Sequence, residues 1–134
     1  MSALTSIEGI GPRLAETLKR EGIGSVEKLL EAGRTRVSRT KLANATGIDE
    51  DRLLRFINHA DLMRVKGIGG EYAELLEAGG VDSVVELAQR NADRLHQQLV
   101  TVNEEKALVR TLPAASRIRA WIKQAKELAR VVQH

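Results

Sequence analysis

Residues 7–18 read Ile-Glu-Gly-Ile-Gly-Pro-Arg-Leu-Ala-Glu-Thr-Leu, and residues 65–76 carry the same hydrophobic-x-Gly-hydrophobic-Gly-x-x-x-Ala-x-x-hydrophobic pattern. The chemistry this pattern can do is anion capture. Its first glycine (Gly9, Gly67) permits a positive φ as one element ends, and its second (Gly11, Gly69) leaves bare backbone that a partner can approach. Pro12 suits the first turn of the following helix, where no N–H bond is lost. The unpaired amides at such a helix start attract phosphate or carboxylate. Ile10 plugs the core between the two arms, and small Ala15 and Ala73 let helices cross closely.

Other chemistry finds little material. His59, His96 and His134 are scattered, with no His-x-x-x-His or Glu-x-x-His spacing for a metal. Asp49-Glu50-Asp51 and Glu104-Glu105 resemble carboxylate pairs, yet each is expected to open a helix, where capping and dipole compensation account for it. The chain has no cysteine, which excludes disulfides, thiolate catalysis and cysteine-ligated zinc and fits a reducing, cytoplasmic setting. No Gly-rich loop ends in Lys-Ser/Thr after a strand. No enzyme, catalytic residue, metal site or organic cofactor is expected.

The elements that must position the glycines come from a repeat. Between 7–30 and 65–88, at an offset of 58, ten of 24 positions are identical, among them Gly9/Gly67, Ile10/Ile68, Gly11/Gly69, Ala15/Ala73 and Leu18/Leu76. Chance gives one or two, so the chain reads as a duplication. The remainder aligns after a gap of about eight residues, 46–62 against 112–128. Each unit then runs hairpin, short helix, connecting helix and long closing helix. No segment alternates with period two, and the expected fold is all-α: two bundles of about five short helices each, at 1–64 and 65–134, abutting rigidly without a flexible linker. Ser25, Asp82 or Ser83, Asp49 and Asn103 are the expected N-caps. Ile118, Trp121, Ile122, Ala125, Leu128, Ala129 and Val132 recur at helical spacing in the closing helix, which makes Trp121 a core residue. His59 reads as a surface or partly buried histidine. Length and composition (134 residues, 43% hydrophobic, 29% charged) suit a globular protein, and no apolar run approaches the roughly 20 residues of a membrane span.

Charge separates the two copies. Residues 12–21 carry Arg13, Lys19 and Arg20 against Glu16 and Glu21, a net +1. Residues 70–79 carry Glu71, Glu74 and Glu77 and no base, a net −3, with Lys66 the one offset nearby. Glu71 falls in the first helical turn and satisfies the dipole that a bound anion would use. The first hairpin (Gly9, Ile10, Gly11, Arg13) is therefore the expected polyanion seat, and the second (Lys66, Gly67, Gly69) the weaker one. Two basic clusters accompany them: Arg34, Arg36, Arg39 and Lys41, and a closing-helix stripe of Arg119, Lys123, Lys126 and Arg130 within an arc of about 60°, which is expected to extend the nucleic-acid contact. Three aromatic residues (Phe56, Tyr72, Trp121) give poor support for stacking on single strands.

The two glycine stretches resemble helix-hairpin-helix motifs, found in many DNA repair and recombination proteins. GIGSVEKLL and GVDSVVELA also resemble the turn and helix of the RNA polymerase α C-terminal domain. Over nearly the whole length the arrangement is similar to an uncharacterised bacterial family of duplicated helix-hairpin-helix proteins of unknown function. The resemblance implies a SAM-like architecture and sequence-independent contact with the phosphates of double-stranded DNA. It also implies a monovalent cation as a guest of hairpin carbonyls. A second hairpin in each unit would lie at Thr46-Gly47-Ile48-Asp49 and Leu112-Pro113-Ala114-Ala115, but both depart from the glycine pattern. Four neutralised phosphates would give a log–log salt slope of about −3.6. The alternative partner is a protein, with the hairpins as architecture in a scaffold or adaptor.

Overall fold

Most helix starts in this chain are fixed by a side chain that replaces the missing helical acceptor. The computed structural model describes residues 2–134. In chain order its helices are α1 (Pro12–Arg20), α2 (Val26–Ala32), α3 (Arg36–Thr46), α4 (Glu50–Leu62), α5 (Gly70–Ala78), α6 (Val84–Ala88), α7 (Ala92–Lys106) and α8 (Ala115–Glu127), and Ser25 Oγ opens α2 by accepting the Lys28 N–H at 3.1 Å. Thr35 and Ser38 form a reciprocal capping box on α3. Ser83 Oγ and Asn91 Oδ1 accept the Glu86 and Arg94 amides at 3.1 Å on α6 and α7. All regular structure among the described residues is helical, and no described helix is long and apolar enough to cross a membrane.

The chain separates into two compact units, one of residues 1–61 with 131–134 and one of residues 62–130. In the first, a 3₁₀ turn (Leu4–Ser6) precedes α1, so a single short turn stands where an αα-hairpin would have its leading α-helix. Ile7, Leu18, Leu29, Leu53, Phe56 and Ile57 are fully enclosed. The terminal segment packs on this unit: Val132 is buried, the Gln133 N–H donates to Arg34 O at 2.8 Å, and His134 Nε2 lies 2.8 Å from Asn58 Oδ1. Arg39 fastens it from below, donating to Gln133 O at 2.8 Å and to Gly33 O at 2.9 Å. In the second unit, α8 packs against α6 and α7, and Leu75, Leu76, Leu87, Leu95, Ile118 and Trp121 form the core.

Several expectations change. α8 ends at Glu127, and Leu128 turns extended (ψ 137°) to send the chain into the segment that carries Val132. Arg130 and Val132 therefore leave the helical pattern that their spacing suggested. Asn103 is no N-cap: it sits near the end of α7, where its side chain clamps Val109, accepting that N–H and donating to that C=O at 3.0 Å. Glu104 and Glu105 accordingly close a helix rather than open one. His59 is wholly enclosed, together with Asp61, because α4 is buried all round from Phe56 to Leu62. The closing helices also correct the register. α4 and α8 each have 13 residues and start 65 positions apart, one fewer than the pairing of 46–62 with 112–128.

Candidate functional site

The first glycine turn is built from Ile7 to Ile10, with the Ile10 N–H donating to Ile7 O at 3.1 Å. Gly9 occupies the third position at φ +95°, a backbone state that type II turns require and that L side chains resist. A Cβ there would also lie 3.0 Å from Phe56 Cε1. The buried Ile7 and Ile10 anchor the turn from beneath. The second turn, Val65 to Ile68, repeats this with Gly67 at φ +96° and the Trp121 indole nitrogen 3.0 Å from a would-be Cβ.

Gly11 and Gly69 play a different part. Each is an extended N-cap without a side chain to accept the helix amides, and nothing lies within 4 Å of where its Cβ would be. In α1 the first amide to find a backbone acceptor is that of Ala15, bonded to Gly11 O at 3.0 Å. With Pro12 lacking a donor, the Arg13 and Leu14 amides are the ones an incoming anion can take. No acid lies in the first turn of α1, and Lys19 and Arg20 occupy its last turn. The α5 start has Glu71 in that first turn and no base in its last. Glu8, an acid, is exposed in the first glycine turn.

Around the α1 start the cations are Arg13 and Arg52. Arg13 is exposed, and its guanidinium has no partner among the described residues. Arg52, from α4, donates through Nη2 to Gly9 O at 3.3 Å and lies 5.4 Å from the centre of the Phe56 ring. Sequence reasoning missed Arg52. The signal was an arginine four residues before the aromatic of the closing helix, Arg52/Phe56 and Arg117/Trp121, which the misplaced register hid. Arg117 is committed differently: it lies 5.3 and 5.8 Å from the Tyr72 and Trp121 ring centres, whose rings are 5.4 Å apart. At Lys66 the main chain is held by Gln124, which accepts its N–H at 3.0 Å.

The basic clusters are thinned by the fold. Arg39 is buried, and desolvation pulls its guanidinium below its ordinary value, though arginine stays charged at any physiological pH. Arg34 pairs with Glu31 at 3.2 Å. Arg36 and Lys41 remain exposed. In the closing-helix stripe Arg119 meets Asp93 at 3.4 Å, Lys123 and Lys126 line an open hollow, and Arg130 follows the helix end. No group of three or more His, Cys, Asp or Glu side chains able to hold a metal occurs among the described residues.

No curated protein and no solved structure matches the chain. A family model does match, from residue 8 to residue 128, and covers the glycines of both turns and α1 through α8. The chain belongs to that family, a domain of unknown function (DUF4332).

Proposed function

We propose that this chain is a non-enzymatic binding module, a tandem helix-hairpin-helix duplication of SAM-like architecture, whose first hairpin docks the phosphate backbone of duplex nucleic acid without reading its sequence. One observation carries the reading: α1 starts at an exposed glycine with neither a side-chain cap nor an acid in its first turn, whereas α2, α3, α6 and α7 are capped by side chains, α5 has Glu71 in its first turn, and α8, also uncapped, starts from Ala114 rather than a glycine. Free amides at a helix start favour a phosphate oxygen. Arg13 and Arg52 add charge beside it, and backbone amides carry no base information.

With two cations engaged, the counterion-release rule gives a log–log salt slope of about −1.8, or about a tenfold weakening from 50 to 200 mM salt. Fluorescence anisotropy with unrelated duplexes of equal length, at both salt concentrations, tests this. Equal, salt-sensitive affinities that fall in Arg13→Glu are expected. Failure to bind at the lower salt would return the chain to the protein-adaptor reading.

A further inference from the structure

The second unit contains an open hollow of about 370 Å³ at the start of α7 and the exposed face of α8. Arg90, Arg119, Lys123 and Lys126 line it, and Asp93 is its one carboxylate. Arg90 is part of the scaffold: its Nε donates to Glu86 at 3.0 Å and its Nη2 to Gly80 O at 3.0 Å. The other three cations are available. Arg119 reaches only Asp93, with both side chains more than half exposed, a pairing that contributes little in water. Lys123 and Lys126 have no ion-pair or hydrogen-bond partner among the described residues. The helix dipole accounts for Lys126 in the last turn of α8, but like charges three and four residues apart on a helix repel, so stability does not account for all three together.

We propose that this hollow binds a chain of two or three linked phosphates, either free or as the 5′ phosphate chain of a nucleotide. The lining has no aromatic side chain, so nothing is offered for a base to stack on, and recognition falls on anionic oxygens alone. From Arg119 to Lys126 the cations are strung along about 10 Å of helix, which suits a linear polyanion better than a single compact anion. The arginine fork and the two ammonium groups can each take separate oxygens. Asp93 works against the ligand, both by its charge and by holding Arg119. This proposal concerns the second unit and does not depend on duplex docking at α1.

Calorimetric titration of the full-length Arg13→Glu chain at low salt, with tripolyphosphate, ATP and orthophosphate in turn, tests it, because that variant weakens the phosphate seat at α1. Tripolyphosphate and ATP are expected to bind alike at one site, with orthophosphate weaker by about tenfold or more, since it reaches fewer cations. The Lys123→Glu/Lys126→Glu variant should lose about tenfold or more with helicity unchanged by circular dichroism. Asp93→Asn should tighten binding, an effect opposite to any loss of structure. ATP binding without tripolyphosphate binding, weakening in Asp93→Asn, or no binding at all would each overturn the assignment. So would displacement of tripolyphosphate by duplex DNA in the Arg13→Glu background, which would make the hollow a nucleic-acid surface.

Discussion

Replacing Gly11 by aspartate should make the protein more stable and its nucleic-acid binding worse, a combination that simple damage cannot produce. The backbone already has the extended N-cap geometry (φ −89°, ψ −175°), and no atom lies within 4 Å of the added Cβ. The new carboxylate can accept the Arg13 or Leu14 amide, as Ser25 and Ser83 do for their helices. Aspartate gains a few tenths of a kcal/mol over glycine as an N-cap. Its charge at the positive end of the α1 dipole adds about 0.3–1 kcal/mol, giving a net gain of about 0.5–1 kcal/mol. The same carboxylate occupies the phosphate seat. Losing one charge-assisted hydrogen bond costs binding about 1.5–3 kcal/mol, roughly ten- to a hundredfold in affinity. The salt slope should also move toward zero by about 0.9, because the new charge offsets one cation. Urea unfolding and duplex anisotropy on the same preparation read out both effects. A Gly11→Asp protein that is more stable yet binds duplex as tightly as the parent would refute the assignment of these amides.

Other outcomes follow from the packing. Trp121→Ala removes a fully enclosed side chain beneath Gly67 and should lower the unfolding free energy by about 3–5 kcal/mol in chemical denaturation. Arg39→Ala strands the carbonyls of Gly33 and Gln133 and should cost about 2–4 kcal/mol. Amide exchange at Gln133 should rise in that variant, and retention of protection there would refute the clamp. Glu27 accepts the Ser2 amide at 2.9 Å, and that bond holds its carboxyl below the ordinary glutamate value. A depressed folded-state value means the contribution is present above the unfolded value and fades as pH falls through about 4. Carboxyl NMR should place Glu27 below an unperturbed glutamate, and Glu27→Gln should flatten that part of the acid stability profile.

Much of the helical pattern could be read before any coordinates. Ser25 and Ser83 cap the helices that follow them, and Gly9 and Gly67 sit at positive φ in their turns. These features are local: caps and turns depend on dihedral preference and on neighbours within four or five residues. The misreadings were also consistent. Asn103 has a side chain suited to an N-cap, but its partner is Val109, and only the folded loop brings that residue back. The apolar spacing of Val132 continued the closing helix on paper, yet its burial lies in the first unit, so the chain leaves the helix at Leu128.

The sequence by itself determined the all-helical class, the two glycine turns and the difference in charge between them, since periodicity, steric limits on φ and local charge act within a few residues. Tertiary structure decided which cations remain available. It buried Arg39 among carbonyls, stacked Arg117 on two rings, and brought Arg52 to within 3.3 Å of Gly9 O from 43 residues away. Whether a charge can meet a ligand depends on which groups reach it across the fold, and no spacing along the chain encodes that distance.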